Sequence, residues 1–458
     1  MKRNAIQTAL QPAPAWTAIL ALIAFTGLLS IAGAGKVLNV AFPTGAFAVS
    51  ILLYLRAPLL YVGFTWWICL LTPLVRRLAD YRSGFTDPSP ILLTPYLTIL
   101  VTLVTLKQHL PKTYSQGGLP FLMALAGIFY AILTGLILNP PVKVLVAALE
   151  WLAPVLFGFH LFTNWDRYPA YRQNLQRTLT WGVLVMGSYG IVQYLIAPEW
   201  DRTWLINTTL KTMGKPEPLG LRVWSTLNSP EPFAAIIAGC LLLLFTNQSP
   251  LRLPAAIVGY LSFLLCAVRS GWLAWLAGLF SLIVSLKPKL QLRLSISLVV
   301  LALVLVPLAT VEPFAQLSSR LDTFSNLEND QSAIARQQSF NTLRDAALTS
   351  FIGQGISGQK LDSALFSMLF ELGWIGTIPY AGGLFLLTFA LFQAKSAKFD
   401  PFIGTARAIA ISALVRLPVN VPMLGASGLL LWTFLGIGLA GIKFDRWQAR
   451  QAQVNPLN

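Results

Sequence analysis

Apolar stretches of about twenty residues recur from one end of this chain to the other, and nothing else in it constrains the fold as strongly. A stretch of that length with few charges can sit in hydrocarbon only if each backbone N–H and C=O is satisfied within it, which selects α-helix. The stretches fall near 15–34, 37–55, 58–75, 90–106, 119–138, 143–163 and 178–197, then near 233–247, 254–268, 271–286, 294–310, 372–393, 402–417 and 424–442. Several are short, and Pro43-Thr44-Gly45 reads as an interruption of the second. The predicted fold class is therefore all-α, a polytopic integral membrane bundle of about 12 to 14 transmembrane helices forming a single domain over 1–458.

Composition supports a bilayer as the solvent. The chain is 55% hydrophobic and only 11% charged, whereas about a quarter of the residues in soluble domains are charged. Basic residues outnumber acidic ones 33 to 17, giving a formal charge of +16. Those charges are dispersed between spans, as cytoplasmic loops require, so a nucleic-acid partner has no support. Cys69, Cys240 and Cys266 lie inside apolar spans at no metal-ligand spacing and read as small core residues. Lys2 and Arg3 precede a span longer than a signal core, so the first helix is read as retained.

Basic residues also set the orientation. Arg167/Arg172/Arg177, Lys287/Lys289/Arg293, Lys395/Lys398 and Lys443/Arg446/Arg450 fall on one side if every intervening span crosses, and that side is the cytoplasm. Arg76, Arg77 and Arg82 then fall outside, against the rule, unless one early span does not cross. The same scheme sends segments 198–232 and 311–362 to the outer face, the second with an amphipathic run from Ala333 to Ala347. Long ordered segments of that kind are usually functional.

The residues on the outer face have a recognisable order. Leu221-Arg222-Val223-Trp224-Ser225-Thr226-Leu227-Asn228-Ser229-Pro230 leads into one span, and Val268-Arg269-Ser270-Gly271-Trp272 joins two others almost without a loop. Arg336, Gly353-Gln354-Gly355, Asp362-Ser363 and Glu371-Leu372-Gly373-Trp374-Ile375-Gly376 follow. From about residue 180 to 395 this resembles the O-antigen ligase and polymerase superfamily of bacterial envelope enzymes. In that family an Arg precedes a Thr/Phe-x-Asn helix entrance and an Arg-Ser or Ser-Arg pair opens a later helix. A periplasmic loop then ends in Gly-x-Gly followed by His-Asn-x-x-Leu-x-x-x-x-Glu-x-Gly. This chain departs at the loop end, where Asp362 stands in place of the family's His and Ser363 in place of its Asn.

The resemblance implies a multi-pass protein of the bacterial inner membrane, similar to GT-C-type glycosyltransferases. It would move a saccharide from an undecaprenyl-diphosphate-linked donor to a hydroxyl acceptor at the periplasmic face, with no metal and no cofactor. Carried over, Arg222 and Arg269 match the family's essential arginines and Arg336 its basic loop residue. Guanidinium groups suit this chemistry because they hold diphosphate oxygens bidentately and stay charged at any working pH. Asp362 is then the candidate general base for the acceptor hydroxyl. The partners implied are the lipid-linked glycan donor, a glycan, lipid or protein acceptor, and membrane lipid.

Each assignment has a structural competitor. Arginines at helix ends ordinarily snorkel to the interface, and an Asp before an apolar helix ordinarily caps it. Glu371 reads as orienting the helix entrance or bonding across helices. Glu328-Asn329-Asp330 reads as solvated charge, and Gly353-x-Gly355 as a turn with special backbone angles. His109 and His160 are far apart in sequence and near helix ends, so they do not read as a metal or acid/base pair. Trp67, Trp181, Trp200, Trp204, Trp224 and Trp272 read as interface belts, with Trp200, Trp204 and Trp224 as alternative platforms for sugar rings. The competing functional classes are a transporter of a small anion such as bicarbonate and a non-catalytic scaffold in envelope-glycan assembly.

Overall fold

The structure, a computed structural model, describes the chain outside residues 1–12, 209–212, 286–290, 293–339, 342, 358–360, 362, 395–399 and 455–458. Among the described residues it is all-helical, with one isolated bridge between Gly214 and Leu221. The helices are α1 (Ala13–Ile31), α2 (Gly35–Arg56), α3 (Pro58–Ser83), α4 (Thr94–Leu100), α5 (Leu103–Thr113), α6 (Leu119–Leu138), α7 (Pro141–Thr163) and α8 (Tyr168–Ile196). They continue with α9 (Glu199–Asn207), α10 (Pro230–Leu244), α11 (Arg252–Leu265), α12 (Arg269–Ser285), α13 (Ala364–Ser367), α14 (Gly373–Gln393), α15 (Pro401–Leu414) and α16 (Gly425–Val454).

Nine described helical segments are long and apolar enough to cross a membrane, and α10, α11, α12 and α15 are shorter apolar helices. These thirteen coincide with thirteen of the expected spans; the remaining one, 294–310, lies outside the described residues. Pro43 does not interrupt the second span, because α2 runs through it. The missing proline N–H costs one helical bond, and the neighbouring Thr44 hydroxyl donates to the Val40 carbonyl at 2.8 Å.

The chain packs as two compact units, each drawn from two separate stretches of sequence: residues 1–101 with 169–266, and residues 102–168 with 267–458. In the first, α3 packs on α2, α4 and α9, and α10 packs on α11. Gly187 of α8 faces α11 so closely that a Cβ there would lie 2.8 Å from the Val258 carbonyl carbon.

In the second unit, α7 packs on α16, α6 on α14, and α12 on α15. Small residues set the closest crossing: a Cβ on Gly158 would lie 2.5 Å from the Trp432 oxygen, and one on Gly436 2.2 Å from the Gly158 oxygen. Lipid tails are as apolar as leucine, so close backbone approach and dispersion, more than hydrophobic exclusion, hold such helices together. Phe121, Trp151, Phe159, Tyr380 and Trp432 fill the core around this crossing.

Candidate functional site

The first unit buries an unusual amount of polar chemistry around residues 221–229. Helix α3 delivers Arg76 and Arg77 near its end, and α8 presents Met186, Tyr189 and Gln193 on one face through helical spacing. Helix α9 begins after Pro198 with Glu199 and Asp201 in its first turn, where the helix dipole favours acids.

Arg77 Nη1 meets Asp201 Oδ1 at 2.6 Å with both side chains fully buried. Asp201 Oδ2 accepts from the Tyr189 hydroxyl at 2.7 Å and from Gln193 Nε2 at 2.8 Å, and Trp200 Nε1 donates to the Tyr189 hydroxyl at 2.6 Å. The carboxylate therefore has a partner on each oxygen, as a buried charge requires.

This network holds the segment carrying Arg222. Gln193 Oε1 accepts the Trp224 and Ser225 backbone N–H groups at 3.0 and 2.8 Å, and Arg77 Nη2 donates to the Ser225 carbonyl at 2.5 Å. Ser225 has φ of +52°, a left-handed conformation uncommon outside glycine, and its hydroxyl donates to the Met186 carbonyl at 2.6 Å. Val223 N–H bonds to Leu265 O at 3.1 Å, and Arg222 N–H to Met213 O at 3.0 Å. Arg222 itself is half-buried, and its Nε donates to the Cys266 carbonyl at 3.2 Å, which orients the guanidinium plane. Among the described residues, the buried Thr226 Oγ1 and the Asn228 Oδ1 have no hydrogen-bond partner, so this segment has polar capacity its own fold does not use.

Arg76 and Arg77 thus have an internal role. Arg76 pairs with Asp80 at 3.2 Å, donates to Thr86 O at 2.7 Å and lies 4.6 Å over the Trp204 ring. Folding explains why basic residues stand at this end of α3, and α1, α2 and α3 are each long and apolar enough to cross. Trp204 is under Arg76 and Trp224 is fully buried, so neither offers a face to a sugar ring here.

The second unit carries Arg269 as the first residue of α12, half-buried. The next residue, Ser270, has its Oγ 3.2 Å from Asn420 Nδ2. The main-chain oxygens of Leu417 and Asn420 accept the N–H of Ala364, at 3.0 and 3.1 Å, where α13 begins. The cap position of α13 is Ser363, with no side-chain cap bond. Asp362 and Arg336 themselves lie outside the described residues, as do Glu328, Asp330 and Arg320. Arg222 and Arg269 belong to different units.

The remaining landmarks form one clamp. Gly353 and Gly355 have φ of +82° and +72°, and a Cβ on Gly355 would lie 2.1 Å from Gly135 N. Gln354 N–H bonds to Phe370 O at 2.7 Å, Ile356 N–H to Ala131 O at 3.1 Å, and the Tyr130 hydroxyl to Ile352 O at 2.9 Å. Residues 368–372 form a π turn, a form that concentrates at functional sites. Within it Glu371 is buried and accepts from Trp151 Nε1 at 2.7 Å, a bond across helices.

The two histidines converge despite their separation in sequence. His160 Nδ1 is 2.7 Å from the Thr105 hydroxyl, and His109 Nδ1 is 3.1 Å from the Thr105 carbonyl. Among the described residues no three His, Cys, Asp or Glu side chains gather closely enough to share a metal ion. All three cysteines are buried and free.

The class these observations define is a helical membrane protein with many apolar spans and a polar network buried around one inter-helix segment. Compared with known proteins, the chain matches no family model and no curated sequence.

Proposed function

We propose that this chain is a lipid-carrier-dependent glycosyltransferase of the O-antigen ligase or polymerase type. It would transfer a saccharide from an undecaprenyl-diphosphate donor to a hydroxyl acceptor at the periplasmic face of a bacterial inner membrane, in cell-surface or exopolysaccharide assembly. The observation that carries this reading is the hold that Arg77 and Gln193, themselves bonded to Asp201, have on the backbone of Trp224 and Ser225 beside Arg222. A fully buried ion pair is expensive to desolvate, and replacing such pairs with apolar residues is often neutral or stabilising. Keeping one here to fix the backbone beside Arg222 argues that the position of that segment matters.

The chemistry follows from that position. Cleaving a glycosyl diphosphate leaves charge on the lipid diphosphate, which a guanidinium held in a fixed plane stabilises without reorganising. Arg222 and Arg269 take that role, with Arg336 as a further diphosphate contact. Asp362 accepts the proton of the attacking hydroxyl. The Cys266 carbonyl that orients Arg222 lies three residues before Arg269 in the chain.

The test is transfer of labelled glycan from a polyprenyl diphosphate donor by the purified chain in lipid, with candidate acceptors and with EDTA. Transfer that survives EDTA, disappears in Arg222→Ala and Arg269→Ala, and is selectively lost in Asp362→Asn supports the reading. No transfer to any acceptor, together with saturable uptake of a small anion into proteoliposomes, overturns it in favour of a transporter.

A further inference from the structure

We propose that Asn420 is a positioning residue for Arg269, a claim that rests on the transfer reading above. Asn420 lies in the turn between α15 and α16, a stretch with none of the motif residues. Its backbone is fixed first: Val419 and Asn420 N–H groups bond to Arg416 O at 3.1 and 2.8 Å, and the Arg416 side chain is itself buried.

From that fixed turn Asn420 acts in two directions. Its carbonyl, with that of Leu417, accepts Ala364 N–H and sets where the helix carrying Glu371 begins. Its side-chain amide donates to Ser270 Oγ, 150 residues away in sequence. Ser270 is the second residue of α12, so this bond fixes the rotation of the helical turn from which Arg269 projects. Bidentate holding of a diphosphate is sensitive to such rotation, because the two N–H···O bonds share one plane.

A plain helix-to-helix tether would make a different prediction. Losing one half-exposed neutral hydrogen bond would lower thermal stability slightly and leave turnover alone. A positioning bond changes turnover through Arg269 and nothing else.

In the purified full chain, Asn420→Ala and Ser270→Ala should each lower kcat for glycan transfer about three- to tenfold. The acceptor KM should not change, and the double variant should be no slower than either single. Ser270→Thr, which keeps the hydroxyl, should retain the rate. In an Arg269→Lys background, which keeps the charge and a reduced but measurable rate, Asn420→Ala should have no further effect. The same fold loss in that background, or a lowered melting midpoint with unchanged kcat, would overturn the proposal.

If the wild-type chain transfers nothing, the transfer reading falls by itself. Hydrogen exchange at the Gly271 and Trp272 N–H groups then decides the positioning claim. Faster exchange confined to that turn in Asn420→Ala upholds it, and unchanged exchange rejects it.

Discussion

Arg77 and Asp201 stand 124 positions apart in the chain and meet at 2.6 Å with neither side chain exposed to any measurable degree. The pair ties the end of α3 to the start of α9, and both residues reach residues 221–229 through Ser225 and Gln193.

Removing one partner leaves the other charged, buried and uncompensated. Asp201→Ala should therefore cost about 3–5 kcal/mol of stability, read as a lowered melting midpoint of the purified protein in lipid nanodiscs. Replacing both residues by leucine should recover part of the loss but not all. Tyr189 and Gln193 would still lose the carboxylate to which they donate. A double variant as unstable as the single would show that the charges are not what matters.

Gln193 is the second point of leverage, because one side-chain oxygen accepts two backbone N–H groups of the Arg222 segment. Gln193→Leu strands both donors, at about 1–3 kcal/mol each. The loss should be local: faster hydrogen exchange and new protease cleavage within 221–229, while α10 stays protected. Protection unchanged in 221–229 would mean that the other contacts of Ser225 are sufficient to hold the segment.

The apolar spans made most helices legible in the sequence, since a 20-residue stretch in hydrocarbon has no alternative to helix. The turn at Gly353 and Gly355 was legible locally, and a bond across helices was one of two readings of Glu371, though its partner Trp151 was not legible. The turn and Glu371 each sit at a sharp punctuation in an otherwise periodic pattern. The buried pair was not, because nothing local connects Arg77 to Asp201. Its trace was an inconsistency: arginines at the end of α3 on the side where basic residues should be scarce. Ser270 was legible only as half of the Arg269-Ser270 pair, and Asn420 left no trace at all, an ordinary polar residue that acquires meaning only when the chain folds.

Gly355→Ala should be severely destabilising. The added Cβ meets the Gly135 backbone, which cannot move without displacing α6, and the residue needs φ of +72°. The measurement is the yield of monodisperse protein after membrane extraction. Gly84→Ala makes the control, since its φ is also positive but a Cβ there meets nothing within 4 Å. Equal yields from the two would assign the cost to backbone conformation, with close packing against α6 contributing nothing.

Arg222→Lys separates charge from geometry at the candidate site. Lysine keeps the positive charge but lacks the planar fork and has no Nε–H to donate to the Cys266 carbonyl. If the guanidinium works by holding a diphosphate in a fixed plane, Lys should fail nearly as badly as Ala, with transfer about tenfold or more below wild type. Thermal stability should change little, because Arg222 is only half-buried and the surrounding backbone is held by Gln193 and Arg77. A lysine variant that transfers at the wild-type rate would reduce Arg222 to a source of positive potential. The Arg77–Asp201–Gln193 network would then be a device for folding alone, and the case for a defined diphosphate contact in this unit would go with it.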